Sequence, residues 1–161
     1  MSDEYKANLL KELERLHKRN EMADTIAPDY YEPGMMEYLD KVDGLYDPST
    51  GNIVVRFESK GTRYDGRTEQ IEKVKMGDPI TIKRDKENPY NSNNFILYTR
   101  REQDVGNMPA DLCNVIAPLY DSGDLEFIKA SVSYAEPISK RSRYAKQAML
   151  FVETKLRISK E

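Results

Sequence analysis

The sequence predicts a mainly β fold of the α+β class: a small β-barrel or curled sheet with one helix between strands, preceded by an amphipathic helix. Three observations carry this expectation. Short runs rich in Val, Ile, Phe and Tyr at residues 52–58, 80–83, 95–99, 125–135 and 144–158 are separated by clusters of Gly, Pro, Asn and Asp, the pattern of strands joined by turns. A single middle segment, opening at Pro109, has helical spacing instead. So do the first 20 residues, where Tyr5, Leu9, Leu13 and Leu16 fall on one face with Leu10 beside them.

The chain has 161 residues, enough for one domain and an extension. The boundary is expected at about residue 40, with a helix and connector over 1–40 and the strand-rich domain over 41–161. Cys113 is the only cysteine. It leaves no internal disulfide and no Cys-rich zinc site, and it points to a reducing compartment. No apolar run approaches the ~18 residues of a membrane span, so a soluble, cytoplasmic protein is expected. The net charge of −3 is unevenly spread: residues 1–52 hold 12 acids and 6 bases, whereas residues 53–161 hold 16 acids and 19 bases. An acidic lead therefore precedes a faintly basic body.

Taken in order, Ser2 is a candidate N-cap, with Asp3 and Glu4 suited to the positive end of the first helix. Residues 21–34 read as a connector broken by Pro28, Pro33 and Gly34, and 35–39 as a short helical turn. Residues 42–46 and 52–58 flank a turn-rich stretch and predict a hairpin. Gly61 and Gly66 bracket a turn carrying Arg63 and Tyr64, and residues 67–75 form a short charged helical segment with Ile71 and Val74 inward. The strands at 80–83 and 95–99 flank an Asn-rich loop. Pro109 opens the middle helix, whose stripe is Leu112, Val115, Ile116 and Leu119, and Gly123 stops it. Pro118 should distort its last turn, and Cys113 reads as a small core residue. The last two strand runs flank the densest basic stretch, residues 138–146.

Catalytic signals are absent. No Gly-x-x-x-x-Gly-Lys phosphate loop occurs, the only histidine, His17, sits in the leading helix as an expected surface residue, and no carboxylate spacing marks a metal cage. A non-enzymatic chain is expected, with no catalytic residues, metal or cofactor. The residues left over are of a binding kind. Residues 84–94 place Tyr90, the amides Asn88, Asn91, Asn93 and Asn94, and the cation Arg84 in one polar loop. Arg63 and Tyr64 share a turn, and Lys140, Arg141 and Arg143 lie in the basic stretch. Rings that stack, amides that donate and accept, and cations for phosphates suit a nucleotide. An ordinary solvated hairpin loop has the same composition.

The order of these pieces is more specific than any one of them. Gly-Thr-Arg-Tyr at 61–64, Gly-Asp-Pro-Ile-Thr-Ile-Lys-Arg-Asp at 77–85, Asn-Pro-Tyr-Asn-Ser-Asn at 88–93 and Val-Gly-Asn-Met-Pro-Ala-Asp-Leu at 105–112 follow one another. The series resembles the HIRAN domain from residue 57 to the C-terminus, with Asn-Pro-Tyr and Val-Gly-x-x-Pro its most specific parts. The resemblance implies a modified OB-like barrel of the stand-alone bacterial type. It also implies a module that holds the free 3′-hydroxyl end of single-stranded DNA, as in a translocase-linked member, with a helicase or nuclease as a partner. On that reading Arg63 and Tyr64 meet phosphate and the terminal base, Tyr90 stacks, and Asn91 replaces an Asp that bonds the 3′-hydroxyl, with Asn88 in the same loop. Asn91 still accepts a hydrogen bond but lacks the charge that repels a terminal phosphate. Asn94 replaces the usual Ala, and Asn107 and Ala110 replace phosphate contacts. The competing reading is a protein-interaction module in which the pocket has drifted and the leading helix docks a partner or a second copy. Neither reading involves a membrane.

Overall fold

The computed structural model describes residues 3–21, 38–39 and 46–159. Along them run α1 (Asp3–Glu21), β1 (Tyr46–Asp47), β2 (Asn52–Glu58), α2 (Arg67–Ile71), β3 (Thr81–Asp85), β4 (Asn94–Tyr98), β5 (Asp104–Asn107), α3 (Ala110–Asp121), β6 (Leu125–Glu136), a 3-10 turn at Ile138–Lys140, and β7 (Met149–Ile158). The strands form two antiparallel sheets, ordered β1-β2-β7-β6 and β3-β4-β5. The fold is mainly β with helices, as expected, but the described strands do not close into a continuous barrel. Instead the sheets are stitched at two corners by single bridges, Lys60 to Asn107 and Pro79 to Ser131.

Each corner has a local cause. Pro79 has no N–H to give a ladder, so the chain is held there by bonds from Gly77 N–H to the Val132 carbonyl and Ile80 N–H to the Ala130 carbonyl. At the other corner Gly106 has φ 127°. A Cβ at that position would collide with Ser59 Oγ and the Lys60 carbonyl. Only glycine allows the approach in which the Ser59 hydroxyl donates to the Val105 carbonyl at 2.8 Å.

Alternation builds the core. β2 turns Ile53, Val55 and Phe57 inward, and β7 turns Leu150, Val152, Thr154, Leu156 and Ile158 inward, as a period of two requires. Buried Thr154 satisfies its hydroxyl on the Lys129 carbonyl at 2.8 Å. α3 buries Leu112, Cys113, Ile116, Ala117 and Leu119, and its Tyr120 joins Phe95 of β4 and Phe127 of β6 in a ring cluster with centroids 5.3–5.7 Å apart. Val115, expected in the stripe, is only half-buried. α3 continues through Pro118 to Asp121, and Gly123 follows with φ 82°.

α1 uses its apolar stripe on this body. Leu13 is fully buried, and Tyr5, Leu9 and Leu10 pack against the same core. The Tyr5 hydroxyl donates to the Val115 carbonyl at 2.7 Å, and Lys6 pairs with Asp124 at 2.9 Å. His17 is half-buried rather than a plain surface residue. Ser2, the connector, most of the 35–39 turn and residues 42–45 of the first hairpin lie outside the described residues, as does the Leu16 side chain. Two differences remain. β5 is not among the expected strands: it is only four residues long and holds Gly106 at φ 127°. β7 begins at Met149 rather than Tyr144, because Ala145 N–H bonds the Ser142 carbonyl at 2.8 Å and turns the chain first.

Candidate functional site

The Asn-rich loop between β3 and β4 is organised by its own amides. Asn88 Oδ1 accepts the N–H groups of Tyr90 and Asn91 at 2.9 and 3.0 Å, and its Nδ2 donates to Asp85 at 3.1 Å. This is an Asx turn, and Pro89 within it fixes one dihedral. Asn91 Oδ1 accepts Asn93 N–H at 3.0 Å. Asn91 and Asn93 both donate to Asn114 Oδ1 on α3, at 3.1 and 3.2 Å. Asn94 is buried and donates to both Asp85 and Asn107, at 3.1 and 3.0 Å. With its backbone fixed, the loop carries Tyr90 at its tip with the residue 95% exposed.

Arg84 anchors the base of this loop. Its Nε and Nη2 donate to the two Asp121 carboxylate oxygens at 2.9 Å each, and its Nη1 donates to the Ser92 and Asn94 carbonyls at 2.6 and 3.1 Å. The guanidinium also lies over Phe95, 5.4 Å from the ring centroid. Four of its five N–H groups are thus engaged, so it positions the loop rather than offering a free cation to phosphate. The Arg84 hydrogen bonds hold the Asp121 carboxyl below its ordinary pKa, and the same bonds raise that of Arg84.

A second ring stands on the turn after β2. Gly61 and Gly66 have φ 70° and 74°, the left-handed region that favours glycine. Tyr64 is 58% exposed, and the Arg63 guanidinium lies 5.3 Å from its ring centroid. Underneath, Arg67 is buried, pairs with both Asp104 oxygens at 2.9 and 3.1 Å, and donates to the Gly61 carbonyl. The two ring-bearing segments share a neighbour. Asn107 exchanges backbone bonds with Lys60, just before the Tyr64 turn, while its side chain accepts from Asn94 in the Tyr90 loop.

The basic stretch lies beside the Tyr64 turn. The Thr62 hydroxyl donates to the Ala148 carbonyl at 2.9 Å, Ala148 N–H donates to Thr68 at 3.3 Å, and Ser139 bonds Glu72. Within it, Lys140 is exposed. Arg141 is turned inward onto the Gln147 carbonyl at 2.8 Å and onto Glu136 at 3.5 Å. Arg143 lies 4.9 Å from the Tyr144 ring centroid, and Tyr144 is 75% exposed. An Arg-Tyr pair thus recurs in two neighbouring segments.

Of the ten residues singled out from the sequence, Arg63, Tyr64, Tyr90, Lys140 and Arg143 present free surfaces. Asn88, Arg84 and Arg141 hold loops in place. Asn91 and Asn93 are half-buried, with part of their amide capacity still available. Sequence reasoning missed Tyr144, hidden in an expected strand, and it missed Asn114 and Asp121 as the groups on α3 that receive the loop. No local signal marks those two, because their partners are more than 20 residues away. Among the described residues no group of three or more His, Cys, Asp or Glu could hold a metal ion.

Residues 53–153 match the family model of the HIRAN domain, and the chain belongs to that family. Similar solved structures include the HIRAN domain of human HLTF, 19% identical, covering 67% of this chain and 81% of that one with a TM-score of 0.48. A Lactobacillus plantarum protein is 18% identical over 66% of this chain and 99% of that one, with a TM-score of 0.49. The HLTF HIRAN domain in its DNA-bound conformation is 18% identical over 66% and 76%, with a TM-score of 0.46. No curated protein matches the chain.

Proposed function

We propose that this chain is a non-catalytic module that binds single-stranded DNA at a free 3′ end. Membership of the HIRAN family gives the class of ligand, since the HLTF domain of that family has a DNA-bound conformation. The observation that carries the reading is Tyr90. A large apolar ring is held 95% exposed on a loop fixed by side-chain amides, where it adds nothing to the core. Tyr64 and Tyr144, each beside an arginine, repeat that presentation. A base stacked on such a ring contributes about 1–3 kcal/mol. Arg63, Arg143 and Lys140 neutralise phosphates. Asn91, which keeps one N–H and one oxygen lone pair beyond its bonds to Asn114 and Asn93, meets the sugar terminus.

Fluorescence anisotropy with matched single strands ending in a 3′-hydroxyl or a 3′-phosphate tests the reading. Tighter binding of the hydroxyl end is expected, with only moderate discrimination because Asn91 carries no charge to repel the phosphate. Equal affinity for both ends and for a closed circle contradicts end recognition. Against the interaction-module alternative stands the packing of α1 on its own body, where Leu13 is buried and Tyr5, Leu9 and Leu10 are partly buried.

A further inference from the structure

The function above leaves one charged feature unused. A cleft of about 290 Å³ lies between the end of α2 and the turn joining β4 to β5. Lys73 near α2 and Arg100 and Arg101 of the turn line it, together with Val74 and Pro79. All three cations are exposed, and among the described residues none has an ion-pair partner. The acid on the cleft wall is Asp78, one of whose oxygens already accepts Lys75 N–H at 2.9 Å. Glu102, between Arg101 and Gln103, takes the left-handed conformation at φ 61° and does not line the cleft, whereas both neighbours do. The turn therefore offers the cleft two arginines and withholds the acid between them. By contrast, a hollow of about 500 Å³ on the larger sheet has Lys129 and Lys155 balanced by Asp47 and Glu153.

We infer that this cleft is a second contact for the phosphodiester chain, separate from the stacking tip. The inference rests on the proposed function, because it extends the same strand away from its end. Residues 95–98 of β4 lie between the Asn-rich loop and the cleft, and the path from Asn94 to Thr99 spans roughly 16 Å of extended chain. A strand of a few nucleotides held at Tyr90 stops short of the cleft, and a longer one reaches it. Arginines suit this task, because their planar donor forks match phosphate oxygens, and Gln70, Gln103 and Thr99 add neutral donors around them.

The test compares the full chain with the Arg100→Ala/Arg101→Ala variant on single strands of about 4 and about 16 nucleotides, the range of site sizes for OB-like modules. The expected result is unchanged affinity for the short strand. For the long strand the variant binds about tenfold more weakly, with a salt slope shallower by about 0.7 for each lost contact. Unchanged slope and affinity on the long strand overturn the inference, and so does equal weakening on both lengths, which places the arginines at the end site. A wild-type chain that binds neither length removes the proposed function itself. One that binds the short strand but gains nothing with length removes only the cleft.

Discussion

Arg63 and Arg84 show how similar side chains in one sequence do different work. Arg63 rests on an exposed ring, and its substitution by Ala leaves stability within about 0.5 kcal/mol, as for other surface positions. Its cost falls on binding, where the salt slope for single-stranded DNA should shrink by about 0.7. Arg84 holds Asp121 and two loop carbonyls, with its side chain only 11% exposed. Arg84→Ala should therefore lower the unfolding free energy by about 2–3 kcal/mol, the scale of charged hydrogen bonds, as read by urea denaturation. Cys113 gives a third residue-scale expectation. Burial pushes its thiol up to about 11, so the thiolate that reacts is scarce at neutral pH. Alkylation of the native chain at pH 8 should proceed only as fast as the chain unfolds, and prompt labelling contradicts its place in the core.

At the scale of elements, the strands were legible because their core side chains alternate, and α3 because Pro109, its stripe and Gly123 mark both ends. β5 was not, since its four residues around Gly106 are too few to show a pattern and the Ser59 and Lys60 that press against it are distant in sequence. Gly106→Ala should cost about 3 kcal/mol or more, through both the collision and the positive φ. A melting temperature equal to that of the parent would show that this corner yields. The Tyr90 loop was legible as a turn, yet its amides read as ligand contacts when most of them hold the loop together. The ionic part of its attachment to α3, the Arg84–Asp121 pair, should weaken in acid. The Asp121 carboxyl is held below its ordinary value by Arg84, and that of Asp124 by Lys6 and then Ser122. A depressed folded pKa adds stability that is present above the unfolded value, about 3.9 for Asp, and lost as pH falls through the folded one. Acidification from pH 5 to about pH 2 should therefore weaken the parent more than an Asp121→Asn variant in urea titrations. Parallel losses contradict the assignment.

At the scale of the whole molecule, the described residues form a pair of sheets pinned at two corners, with α3 against β4 and β6 and α1 packed on the body. Composition and spacing foretold the fold class, but not that the described strands stay short of a closed barrel, because single bridges between distant residues leave no periodic trace. Nor could the stripe of α1 say whether it faced a partner or its own chain. Leu13 is fully buried on its own chain, and Leu13→Ala should cost about 2–5 kcal/mol. The central claim, that Tyr90 is held out for a base, is tested most directly by anisotropy of Tyr90→Ala on a single strand with a free 3′-hydroxyl. A variant that melts like the parent but binds about 10- to 100-fold more weakly is the predicted result. A folded variant with undiminished affinity contradicts it.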